Sequence, residues 1–95
     1  MSAIARLIEE TIDEVNAAVP PDRRIENQPG TVIVGKGSSL DSLAIINFLT
    51  ALEERVAVST GHSVNLLNED ALTNPDGPLR TIALIERFIS AQLAR

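Results

Sequence analysis

The chain has no cysteine, no tryptophan and no tyrosine, and it has one histidine, His62. Without cysteine there is no disulfide framework, no thiolate nucleophile and no thiolate metal site. With one histidine, no histidine cluster can form within a chain, and no metal site is expected. Phe48 and Phe88 are the two aromatic residues, so the core must be built from Ile, Leu, Val and Ala. Positive charge is also scarce: 8 Lys and Arg stand against 13 Asp and Glu, a net charge of -5. Nucleic acid is a poor partner for such a surface, because phosphates need a basic face. Partners with basic patches suit it. There is no run of about 18 apolar residues, so no membrane span is expected. No basic stretch precedes an apolar core at the N-terminus, so no secretory signal is expected, and the expected location is the cytoplasm. No repeat or low-complexity tract is present.

What is there is helical periodicity. The 95 residues suit one domain, 1–95. Over residues 2–18, Ile4, Leu7, Ile8, Ile12 and Val15 share one face, and Arg6, Glu9, Glu10, Asp13 and Glu14 the other. Ser2 is the candidate cap. Pro20-Pro21 ends that helix. A long connection follows, over residues 20–40, with a turn at Asn27-Gln28-Pro29-Gly30. Thr31-Val32-Ile33-Val34 has strand chemistry but no evident partner strand, so it reads as an extended segment plugging the core through Ile33 or Val34.

The second helix is predicted from Asp41-Ser42 to about Val58. Asp41 is a good N-cap. At 100° per residue, Ile45, Phe48, Leu49, Leu52 and Val56 fall on one side, and Asn47, Thr50 and Glu54 on the other. Leu43 falls among the polar residues. Either it is exposed beside Ser42 or it folds back into the preceding loop. Ser42 stands at the positive end of the helix dipole, a place that suits a phosphate. Glu53 and Glu54 read as lying near the C-terminal end, opposing the dipole. Gly61 is the expected C-cap, with His62 a solvated loop residue and Val64, Leu66 and Leu67 packing on the core. Asn68 caps a short third helix to about Thr73. Asn74-Pro75-Asp76-Gly77 makes a turn, and Pro78 suits the first position of the last helix. There Ile82, Ile85, Ile89 and Leu93 share a face with Phe88 at its edge, and Arg80 and Arg87 lie opposite.

Asp41-Ser42-Leu43 opening an apolar helix that runs on to Leu52-Glu53-Glu54, in this order of helices, resembles the acyl carrier protein family. The likeness covers nearly the whole chain. It implies an all-α four-helix bundle of acyl-carrier type, three longer helices and a short third one, with a long first loop. It implies a carrier, not an enzyme. Ser42 would bear a 4'-phosphopantetheine arm taken from coenzyme A by a phosphopantetheinyl transferase, with Asp41 and Leu43 as flanking recognition residues. The arm would hold acyl groups as thioesters for partner enzymes of fatty-acid or polyketide type biosynthesis. Leu43, Ile46, Asn47, Thr50, Glu53 and Glu54 would form the partner face, and Phe48, Leu52 and Leu67 an acyl pocket. A monomer is expected.

The chain departs from the family's pattern in places. Ala44 and Asn47 stand two and five positions after the serine, where the family usually has acidic residues. Ser38 and Ser39 replace a common Leu-Gly. A less acidic upper face implies a dedicated pathway with its own partners, since rim charges set partner choice. Aminoacyl or peptidyl carriage, and a carrier-like interaction module with Ser42 unmodified, stand as alternatives. A serine hydrolase would need a base and an oxyanion site near Ser42, and nothing marks His62 as that base.

Overall fold

Thr11 and the apolar positions Ile4, Leu7, Ile8 and Ile12 are buried along one face of the first helix, α1, Ala3–Ala17. The computed structural model describes residues 2–94. Ser2 caps α1 through its hydroxyl, which accepts from the Ala5 N–H at 3.0 Å. The hydroxyl of Thr11 donates to the Leu7 carbonyl at 2.7 Å, so this buried polar group is satisfied within its own helix. A short 3-10 turn, Pro21–Arg23, follows the Pro20-Pro21 stop. Next come α2, Ser42–Thr60, α3, Glu69–Thr73, and α4, Ile82–Leu93. The described residues thus form an all-helical bundle of four α-helices with no named strand. α1 packs on both α2 and α4. The radius of gyration is 12.2 Å, close to the roughly 12 Å of a compact chain this long.

Phe48, Leu49, Leu52 and Val56 of α2 are fully buried, as are Ile85 and Ile89 of α4. Ile45, Phe88 and Leu93 pack on that core while partly exposed. The core is aliphatic around the single ring of Phe48. α2 runs two residues past Val58, to Thr60, and is stopped by Gly61 at φ 74°, the left-handed conformation glycine adopts without strain. Glu53 and Glu54 therefore lie more than a turn from the helix end. The expected opposition to the dipole does not apply, since that effect fades within the last turn.

The expected isolation of residues 31–34 is also corrected. Val32 forms an antiparallel bridge with Thr81. Around it the Ile33 N–H donates to the Arg80 carbonyl at 2.7 Å, and the Ile82 N–H to the Thr31 carbonyl at 3.2 Å. Backbone groups drawn into the interior must be paired, and the segment before α4 supplies the partners. Both Ile33 and Val34 are then buried. The same pairing holds residues 80–81 out of the helix. α4 therefore starts at Ile82, with the Thr81 hydroxyl accepting from the Leu84 N–H at 3.2 Å. Pro78 lies in the preceding turn, not at the helix start, and Arg80 is not on α4. Val64 and Leu66 are buried as expected, but Leu67 faces outward. Ile25 and Leu79, two loop residues, are buried as well.

Gly35 sits where the loop before α2 meets the turn before α4. Its φ is +105°, and a Cβ there would come within 2.8 Å of the Pro75 carbonyl oxygen. Gly35→Ala is expected to cost roughly 1 kcal/mol or more of stability. Gly30→Ala, with no atom within 4 Å of the added carbon, should cost much less. Urea denaturation of the two variants checks this.

Candidate functional site

Ser42 is the first residue of α2, and the loop before it is built to hold it at the surface. Gly35 and Gly37 both have positive φ, a conformation glycine adopts without strain, and a turn between them is closed by the Ser38 N–H donating to the Gly35 carbonyl at 3.2 Å. The Ser38 hydroxyl then donates to the Ile33 carbonyl at 2.7 Å and accepts from the Leu40 N–H at 3.1 Å. That latch ties the loop to the buried segment behind it. Leu40 packs against the core, partly buried. Asp41 turns the chain into the helix, its Oδ1 accepting from the Ala44 N–H at 2.8 Å, while its carbonyl accepts from the Ile45 N–H at 3.0 Å. Asp41 is thus the cap that the sequence predicted, and it remains exposed.

Ser42 is exposed, and its hydroxyl makes no hydrogen bond among the described residues. The N–H groups of Ser42 and Leu43 likewise have no partner among them. Two free donors at the positive end of a 19-residue helix form a place where an anion is stabilised. Leu43 does not fold back into the loop. It is 68% exposed, and it sits one residue after Ser42. Ile46 and Asn47 are exposed one turn on, Thr50 is half-buried, and Glu54 is exposed further along. These five share one stripe, at spacings of three and four residues.

Glu53 has a different task. Its Oε2 accepts from the Leu66 N–H at 2.6 Å and from the Leu67 N–H at 3.2 Å. It straps α2 to the segment ahead of α3 and is half-buried in doing so. A carboxylate in the second half of a helix, eight residues before its glycine cap, gives no local signal of this; the contact depends on where the chain returns. The three expected pocket residues are also separated by burial. Phe48 and Leu52 are sealed in the core, whereas Leu67 is 36% exposed. None of the three lines the clefts beside α2.

Two clefts flank α2. One of about 400 Å³ lies between α1 and the far half of α2, where Arg55 bridges Glu10 at 3.6 Å and also pairs with Glu14. The other, about 390 Å³, lies beside Ser42 and was not foreseen from the sequence. It is walled by Val15 and Val19 on one side and Leu40, Leu43 and Ala44 on the other. It needs the C-terminal end of α1 to pass close to the start of α2, which no local pattern encodes.

His62 is exposed just past the end of α2. The helix between it and Ser42 spans roughly 27 Å, so the two cannot form a nucleophile–base pair. Among the described residues no three acidic or histidine side chains gather as a metal site. No described helix is long and apolar enough to cross a membrane. No family model, curated protein or solved structure matches the chain.

The strap made by Glu53 and the exposed Glu54 beside it can be told apart. Glu53→Ala leaves two N–H groups short of an acceptor and is expected to lower stability by roughly 1–3 kcal/mol. Glu54→Ala should change it by no more than about 0.5 kcal/mol. Thermal and chemical unfolding of the pair measures the difference.

Proposed function

We propose that this chain is a carrier of acyl-carrier type, with 4'-phosphopantetheine attached through Ser42. The observation that carries the reading is the free Ser42 hydroxyl at the start of α2, beside two unpaired N–H groups. A serine that served only as a cap would spend its oxygen on a backbone N–H. Here Asp41 has taken that role, which leaves the Ser42 oxygen free for another. The residues present fit the group in three respects. The hydroxyl is open to a modifying enzyme. The helix end stabilises the charge of a phosphodiester. Among the described residues the one histidine, His62, lies at the far end of α2, and the neighbouring Asp41 carboxylate is held on the Ala44 N–H, so neither marks Ser42 as a hydrolytic nucleophile.

When bound, the arm supplies a thiol that carries an acyl group as a thioester. The chain itself lowers no chemical barrier; it raises the local concentration of cargo at each partner enzyme. Leu43 and Ile46 offer apolar contact beside the attachment point, and Asn47, Thr50 and Glu54 extend the same face. With Glu53 turned to the loop, Glu54 is the charge that this stripe presents. One charge where two were expected strengthens the case for dedicated partners, since rim charges decide which basic patches are attracted. The phosphopantetheinyl transferase reads Asp41-Ser42-Leu43 in this scheme, and the carrier works as a monomer in the cytoplasm. The proposed cargo is an acyl intermediate of a fatty-acid or polyketide type pathway, with aminoacyl carriage the alternative.

Intact-mass measurement after incubation with coenzyme A and a promiscuous phosphopantetheinyl transferase tests the reading. One phosphopantetheine should be gained by the wild-type chain and none by Ser42→Ala. An unchanged wild-type mass points instead to an interaction module that acts unmodified. A gain that survives Ser42→Ala removes Ser42 from the proposal.

A further inference from the structure

The cleft beside Ser42 has apolar walls contributed by three parts of the chain. Val15 and Val19 come from the end of α1 and just beyond it, Leu40 from the loop, and Leu43 from α2. Arg23, on the 3-10 turn, is the cation that lines it. Arg23 is exposed and makes no ion pair among the described residues. Asp41 lies in the same lining, but its carboxylate is held on the Ala44 N–H. Asn47 adds an amide at the rim. The cleft therefore pairs a greasy wall with one uncommitted positive charge and an amide that can both donate and accept.

Resting on the carrier reading, we propose that this cleft is the resting site of the phosphopantetheine arm, with Arg23 pairing its phosphodiester. The complementarity is specific. The arm has one anion at its attached end, methyl-bearing and methylene carbon along its length, and amides between them. Arg23 answers the anion, Val15, Val19 and Leu43 the hydrocarbon, and Asn47 an amide. An exposed ion pair and a shallow apolar contact are each weak. A tether changes that, because the second contact becomes intramolecular and is made at a high effective concentration. The arm then lies on the α1 side of the molecule when idle, and a partner docking on Leu43 competes for one wall of the cleft and draws the arm out.

The test compares the full chain before and after arm attachment, with attachment proven by intact mass. Two readouts are used: methyl NMR of Val15 and Val19, and the rate at which iodoacetamide alkylates the arm's thiol. Val15 and Val19 serve because they are remote in sequence from Ser42, whereas Leu43 would respond to any modification next door. Attachment should shift both valines, and the thiol should react more slowly than that of free pantetheine. Arg23→Gln should raise the alkylation rate by roughly two- to fivefold, the size of an exposed ion pair, and move the valine signals back towards their unarmed positions. Val19→Asn should likewise raise the alkylation rate and move the remaining Val15 signal back, through the apolar wall. Unmoved valine methyls on a chain shown to bear the arm overturn this inference and leave the carrier reading intact. Shifts and rates unchanged by Arg23→Gln overturn the pairing with the phosphodiester. A chain that accepts no arm removes the carrier reading and this inference together.

Discussion

Three helix side chains hold loops that have no sheet to satisfy them. Asn16 of α1 clamps Ile25, donating to its carbonyl at 2.9 Å and accepting from its N–H at 2.8 Å. Gln92 of α4 does the same for Asn65, at 3.1 and 2.7 Å. Glu53 accepts from Leu66 and Leu67. At the buried Ile25 and Leu66 the constraint is that backbone polar groups near the interior must be paired. A chain with long connections and no named strand among its described residues can meet it with side chains. Two of the clamps carry a buried apolar residue with them: Ile25 in the first case, Leu66 in the third.

The presentation of Ser42 depends on this same economy. The Val32–Thr81 bridge brings the loop to the start of α4, Ser38 latches it, and Asp41 ends it. By the time the chain enters α2, the cap of the helix has been supplied by Asp41. The serine is left over, with its oxygen and two neighbouring N–H groups facing water. A surface hydroxyl has little effect on stability in that position, so function is free to use it. The proposed carriage and the proposed docking stripe through Leu43 and Ile46 both rest on that exposure.

Much of this was legible in the chain before folding. The faces of α1, α2 and α4, the caps at Ser2, Asp41 and Asn68, and the stop at Gly61 were read from spacing and local chemistry, and the structure has them. They are legible because a helix is closed by contacts three and four residues apart, and a cap by contacts two or three apart. The exposure of Leu43 was left open, since turning outward or folding back depends on a loop whose path is not local. Misreadings share a cause. Pro78 looked like a helix start, but Thr31 and Ile33 pair with the backbone on either side of Thr81; Leu67 looked like core, but on the strap that Glu53 holds it is Leu66 that turns inward.

The amino-acid order by itself determined where the helices lie, which side of each is greasy, and that a serine stands at the head of the second one. Tertiary structure alone decided that Glu53 serves the fold, that Ile25 and Leu79 are core, and that Val15, Val19 and Arg23 share a cleft with the start of α2. The first group is set by neighbours along the chain. The second is set by residues tens of positions apart, and these meet only once burial of the aliphatic core has brought their elements together.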